Sequence, residues 1–269
     1  MVIRSIYTLI KRRMPEIHSI HSEERDMRLF GLIGYPLSHS FSKKYFTEKF
    51  EKEYITNCRY DLFPIGSIGE LPLLLKKNPE LEGLNVTIPY KKQVLPFVNT
   101  QYMPAGLDAC NCINIIDGKL VGYNTDVTGF EKSLKPLLKS YHNKALVLGN
   151  GGAAAAIIFV LKKLRISFDI VSRKPHDGSA LTYKGIDKKV MQENTIIINT
   201  TPLGMYPDAD TCPAIPYQYI SDKHLLYDLV YNPAKTLFLQ KGEERGAIIK
   251  NGEEMLVLQA EESWRIWNS

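Results

Sequence analysis

Residues 145–164 read ALVLGNGGAAAAIIFVLKKL, and the fold turns on this stretch. Ala145–Leu148 is a short continuous apolar run, the pattern of a strand buried on both faces. Three glycines within four positions follow, and then a run of strong helix formers. A second strand is expected at 166–171. Strand, glycine-rich turn, helix and strand within about 30 residues form a dinucleotide-binding unit. In this reading Gly149 permits the tight turn out of the strand, and Gly151 lets the backbone approach a pyrophosphate. Gly152 and Ala154 keep the helix close to the sheet and the ligand. Asn150 and Ala153 complete a loop whose unpaired amides face phosphate oxygens at the positive end of a helix. About twenty residues on, an acidic residue would hold the ribose of NAD, whereas a basic one holds the 2′-phosphate of NADP. The chain has Ser172-Arg173-Lys174 there, and Asp169 falls three residues early, inside the strand. These side chains favour NADP, and the Arg173 guanidinium can also stack on the adenine.

Outward from this unit, apolar runs at 195–200 (TIIINT) and 225–230 (LLYDLV) predict further strands, ending on Thr201-Pro202-Leu203-Gly204-Met205 and Tyr231-Asn232-Pro233. Toward the N-terminus the pattern predicts strands at 29–34, 57–63 and 84–88, with helices near 42–54, 67–76 and 90–98. Residues 112–116 and 120–123 flank Asp117-Gly118-Lys119, a hairpin signal. A helix is expected over 127–139. This alternation argues for an α/β protein with two parallel-sheet domains. Residues 27–126 form the first, 127–251 the second with 127–139 as its linking helix, and 140–144 is a plausible junction. Residues 1–26 lack a repeated face and read as a poorly ordered extension, although Ile3, Ile6, Tyr7 and Ile10 recur at helical spacing.

Composition narrows the function. The 269 residues carry 34 Lys and Arg against 29 Asp and Glu, a net charge of +5 that is spread along the chain. Nucleic-acid binding needs clustered charge, so it is not expected, and a small anionic ligand is. No apolar run reaches the ~20 residues that span a bilayer. The four cysteines, Cys58, Cys110, Cys112 and Cys212, show no metal-site spacing and read as reduced thiols of a cytoplasmic protein.

Three polar clusters lie ahead of residue 127. Ser38-His39-Ser40-Phe41-Ser42 opens a helix, Asn85-Val86-Thr87-Ile88-Pro89-Tyr90-Lys91 ends a strand, and Asn124-Thr125-Asp126 starts another helix. Each has a bland alternative: helix capping by Ser or Asp, or a solvated lysine beside Lys92. Against that, ligands in open α/β sheets bind at the carboxyl ends of strands, where these residues fall.

The segments GLIGYPLSHSFS, GLNVTIPYKK, GYNTD, GNGGAA, INTTPLGM, YDLVYNP and NGEEMLVLQA occur in the order and spacing of the shikimate dehydrogenase family, which the chain resembles over roughly residues 28–267. The resemblance implies a substrate domain and a Rossmann-type NADP domain across a cleft, the helix 252–269 returning to the substrate domain. It implies reversible reduction of 3-dehydroshikimate to shikimate with NADPH, a step of aromatic amino-acid biosynthesis, by a monomer or homodimer without a metal. Lys91 and Asp126 match the catalytic pair. Ser40 and Ser42 match the carboxylate ligands of the substrate, and Asn85, Thr87, Asn111, Tyr231 and Gln259 its other contacts. Gly149–Ala154, Ser172–Lys174, Thr200, Met205 and Gly252 match the cofactor positions. Lys43, Asp108, Ala155 and Glu253 depart from the family pattern, and Glu253 would place a carboxylate close to the nicotinamide. An NAD-using quinate/shikimate dehydrogenase and a non-catalytic shikimate-binding sensor are the rivals. The missing acid at 172–174 argues against the first, and the intact Lys91/Asp126 pair against the second.

Overall fold

A computed structural model describes residues 27–37, 40–173 and 181–269. The expected extension 1–26, Ser38, His39 and Lys174 lie outside the described residues. Strands β1 (Arg28–Gly34), β2 (Cys58–Pro64), β3 (Leu81–Val86), β4 (Cys112–Ile116) and β5 (Lys119–Tyr123) form one sheet in the order β2-β1-β3-β4-β5. β1, β2 and β3 run parallel, but β4 is antiparallel to both neighbours, so this sheet is mixed and not parallel throughout as the alternation suggested. The reason is the hairpin: Asp117 and Gly118 have φ of +50° and +72°, as a two-residue primed turn requires, and such a turn joins only antiparallel strands.

The second sheet holds β6 (Lys144–Leu148), β7 (Ser167–Ser172), β8 (Leu181–Thr182), β9 (Ile196–Asn199), β10 (Leu225–Asp228) and β11 (Ile248–Lys250). Every pair in it is parallel, in the order β11-β10-β9-β6-β7-β8. Counted from β6, this is the doubly wound 3-2-1-4-5-6 arrangement, whose ligand crevice lies between the first and fourth strands, here β6 and β9. The link from β7 to β8, residues 173–180, is shorter than the dozen or more residues of an ordinary parallel crossover.

The helices are α1 (Phe41–Lys52), α2 (Leu71–Lys77), α3 (Thr125–Leu134), α4 (Gly152–Lys163), α5 (Lys188–Glu193), α6 (Leu237–Glu243) and α7 (Glu253–Trp267). Two expectations fail locally. The helix read at 127–139 ends at Leu134 and continues as a 3₁₀ turn, because Pro136 has no N–H to give. Residues 90–98 form turns and a 3₁₀ segment at Leu95–Phe97: the Lys91 carbonyl accepts from the Cys110 N–H at 2.8 Å, and Pro96 breaks what remains.

Each sheet buries both faces. In the first, Leu29, Ile33, Leu84 and Ile113 lie on one side, and Phe30, Phe46, Tyr60 and Trp267 on the other. Trp267, from the end of α7, stacks on Phe30 at 4.8 Å, and its indole N–H donates to the Ile113 carbonyl at 2.9 Å. Gly83 makes room for it: a Cβ there would lie 2.3 Å from Trp267 Nε1. The helix that follows the second sheet therefore closes the core of the first.

Candidate active site

Lys91 stands on the turn after β3, which buried Tyr90 pins by donating its hydroxyl to the Ile65 carbonyl at 2.6 Å. Asp126 stands in the first turn of α3. Sequence allowed Asp126 to be only a helix cap, but Asn124 does that work, its side chain accepting from the Val127 N–H at 3.2 Å. Asp126 is thus available, and Lys91 Nζ donates to its Oδ2 at 2.6 Å. The side chains are 18% and 11% exposed, a pair largely shielded from bulk water yet not sealed from it.

Asn111 fixes the carboxylate. Its amide donates to Asp126 Oδ1 at 2.9 Å and to Thr125 Oγ1 at 3.0 Å, while its oxygen accepts from the Thr125 N–H at 2.6 Å. Thr125 Oγ1 in turn reaches Gln259 Oε1 and Ser263 Oγ on α7, each at 3.3 Å. Asn85 is spent on the same network: Tyr60 donates to its oxygen at 2.8 Å, and its amide donates to Ser263 Oγ at 2.9 Å and the Asn111 carbonyl at 3.3 Å. Asn85 is 4% exposed, and both its amide hydrogens are engaged within the protein. Tyr60 and Ser263 went unnoticed in the sequence. Ser263 had a signal, lying one helical turn beyond Gln259, whereas Tyr60 sits in an ordinary strand pattern.

The remaining residues read as substrate contacts gather nearby. Ser40 caps α1, accepting from the Lys43 N–H at 3.3 Å, which leaves its hydroxyl proton to donate. Ser42 lies in the first turn of α1, close to Tyr60. Thr87 follows the end of β3, its N–H bonded to the Ile33 carbonyl at 2.9 Å. Tyr231, from the second sheet's side, meets Phe41 edge-on at 5.7 Å, so one aromatic contact joins the two sides.

The glycine loop leaves β6 at Gly149, whose φ is +105° and where a Cβ would lie 2.8 Å from Thr200 Oγ1. No side chain caps α4 at Gly151, so its first amides are unpaired by a cap. A Cβ on Gly151 or Gly152 would meet nothing within 4 Å. The role expected of Gly152 in helix–sheet packing is therefore not borne out: it faces open space, and buried Ala154 does the packing. An uncapped helix N-terminus behind an open, glycine-rich loop fits a dinucleotide pyrophosphate. A cavity of about 370 Å³ runs along this loop, lined by Gly149, Asn150, Ser172, Arg173, Tyr183 and Thr200 among others. Thr200 is tied to β6 through its hydroxyl, 2.8 Å from the Leu148 carbonyl. Met205, 45% exposed, stands after the loop that follows β9.

Gly252 precedes α7 so tightly that a Cβ would lie 2.2 Å from the Leu229 carbonyl oxygen. The atoms it would meet belong to the Leu229 backbone, so no side chain can yield. Gly252→Ala is expected to lower the melting temperature by several degrees and to raise the KM for the dinucleotide, measured by thermal unfolding and steady-state kinetics. A variant that melts with the wild type would show that the chain relaxes there at no cost.

Asp228, wholly buried at the end of β10, accepts from Thr236 Oγ1 at 2.6 Å, Asn199 Nδ2 at 2.9 Å and the Val230 N–H at 3.0 Å. Burial outweighs these donors and pushes its carboxyl up to about 6. The folded pKa exceeds the unfolded value near 3.9, so its contribution to stability is full below about pH 4 and is lost as pH rises through 6. Relative to Asp228→Asn, the wild type is expected to lose on the order of 3 kcal/mol between pH 4 and 7. Paired thermal melts across that range check this, and a constant difference would refute it.

A sequence model of the shikimate dehydrogenase substrate-binding domain matches residues 32–113. The shikimate dehydrogenase (NADP(+)) of Clostridium beijerinckii is 40% identical over 256 residues, covering 90% of this chain and 92% of its own. The chain belongs to the shikimate dehydrogenase family. Among solved structures, a chorismate mutase/shikimate 5-dehydrogenase fusion protein from Clostridium acetobutylicum superposes with a TM-score of 0.78 at 32% identity, covering 90% of this chain and 92% of that one. Shikimate 5-dehydrogenase from Thermus thermophilus, in complex with NADP(H) and shikimate, gives 0.77 at 26% identity, covering 90% and 93%.

Against the family pattern, the four departures settle as follows. Lys43 pairs with Asp61 at 3.1 Å, and Asp108 pairs with Lys92 at 2.8 Å. Ala155 lines a cavity of about 680 Å³ between residues 105–108 and α4. Glu253 is exposed at the first turn of α7, where a carboxylate complements the helix dipole. None touches the Lys91–Asp126 pair. Among the described residues no helix is long and apolar enough to cross a membrane, and no group of His, Cys, Asp or Glu could hold a metal.

Proposed function

We propose that this member of the shikimate dehydrogenase family catalyses the reversible NADPH-dependent reduction of 3-dehydroshikimate to shikimate, and so serves aromatic amino-acid biosynthesis. The observation that carries the reading is the Lys91–Asp126 pair, held at 2.6 Å, partly exposed and braced by Asn111. The dinucleotide would lie along Gly149–Ala154, its adenosine end toward Ser172, Arg173 and Lys174 and its nicotinamide end toward Thr200, Met205 and Gly252.

When bound, NADPH supplies the hydride that reduces the ring ketone, whose oxygen must then gain a proton. Lys91 holds that proton at Nζ and places positive charge where the oxygen becomes negative. Asp126 orients the ammonium and accepts a hydrogen bond from a neighbouring substrate hydroxyl. Asn111 prevents the carboxylate from rotating away, and Thr125 and Gln259 tie that arrangement to α7. Ser40, Ser42 and Tyr231 supply hydroxyl donors to the substrate carboxylate, with Thr87 and Gln259 on the ring hydroxyls. Asn85 acts behind them, holding Asn111 and Ser263 in place. In the reverse direction Lys91 takes the proton back.

Steady-state NADPH formation from shikimate, run beside NAD with shikimate and NADP with quinate, tests the reading. Turnover is expected to be most efficient with shikimate and NADP. Shikimate binding without turnover in any combination would replace the enzyme by a sensor.

A further inference from the structure

In the doubly wound sheet, β8 pairs with β7 at Val171↔Leu181 and Ser172↔Thr182. This register sets the residue after β8 beside Arg173, the residue after β7. That residue is Tyr183, which starts a 3₁₀ turn and lines the 370 Å³ cavity together with Ser172 and Arg173. Ligands of such sheets lie at these strand ends. Tyr183 is half-buried, packed against the cluster that contains Val171, Ile186 and Ile197, so its ring is fixed from behind. Its hydroxyl hydrogen-bonds no other described residue.

Resting on the NADP reading above, we propose that Tyr183 is a cofactor-specificity residue: its hydroxyl, beside the Arg173 guanidinium, donates to the 2′-phosphate on the adenosine of NADP. The phenol suits the task because it stays a neutral donor. Burial holds its pKa above the ordinary range, although the Arg173 charge works the other way. A cation and a fixed hydroxyl converging on one phosphate discriminate against a ribose that lacks it, since two polar groups are then left without their partner. The family motif at 172–174 does not contain this residue.

The test is calorimetric titration of adenosine 2′,5′-bisphosphate and of ADP, which lacks the 2′-phosphate, into wild type and Tyr183→Phe. Losing one hydrogen bond to a charged group is expected to weaken the bisphosphate roughly tenfold and leave ADP unchanged. In steady state the KM for NADP should rise by a similar factor with kcat retained. Unchanged bisphosphate affinity in Tyr183→Phe overturns the proposal, as does an equal loss for both ligands, which would mark a structural role. If the wild type itself fails to prefer the bisphosphate over ADP, the NADP reading fails and takes the proposal with it.

Discussion

Lys91→Ala is expected to lower kcat for shikimate oxidation by roughly 10³-fold while shikimate still binds. The ammonium carries the proton and stabilises charge on the reacting oxygen, and both contributions are larger in the transition state than in the ground state. Asp126→Asn keeps the shape of its partner and the bond from Asn111 but removes the negative charge that orients Nζ, so a smaller loss is expected. Steady-state rates, combined with calorimetric titration of shikimate, separate chemistry from binding. A Lys91→Ala enzyme within tenfold of wild type would remove the proton-transfer role from this residue.

Trp267→Ala should give the largest change in stability. The ring is 5% exposed, stacks on Phe30, donates to the Ile113 carbonyl and fills the space left by Gly83. Truncating such a side chain costs about 3–5 kcal/mol, which in a protein of this size lowers the melting temperature by on the order of 10 °C. The same change loosens the helix that carries Gln259 and Ser263, so the KM for shikimate should rise before the KM for NADP does. Trp267→Phe, which keeps stacking and loses only the indole bond, should fall between the two. A melting temperature within about 2 °C of wild type for the alanine variant would show that the contacts of Trp267 are dispensable.

The parts of the molecule that sequence revealed are those where local chemistry dictates conformation. Gly149 and the Asp117-Gly118 turn adopt φ values that few other residues tolerate, so the dinucleotide unit and the hairpin could be read directly. Lys91 and Asp126 are 35 positions apart, and their meeting was visible only through the ordered motifs of the family. Tertiary bonds decided the remainder. Residues 90–98 have a helical look, but Cys110, just ahead of the neighbouring strand β4, claims the Lys91 carbonyl. Tyr60 and Ser263 engage Asn85 from β2 and α7, 25 and 178 positions away, and no local pattern announces those bonds. Tyr183 was hidden because its place beside Arg173 follows from the β7–β8 register, and register has no meaning until the strands are paired.

The return of α7 to the first sheet has a consequence for biosynthesis. β5 ends at Tyr123 and α7 begins at Glu253, so the ribosome must add about 130 residues before the Phe30 side of that sheet can be covered. At translation rates of about 5–20 residues per second, this is on the order of ten seconds. During that time Phe30, Phe46 and Tyr60 lack their final partner, while the second sheet is being synthesised strand by strand. The second sheet can therefore mature while the nascent chain still presents an unfinished apolar surface from the first, which is where a chaperone would bind.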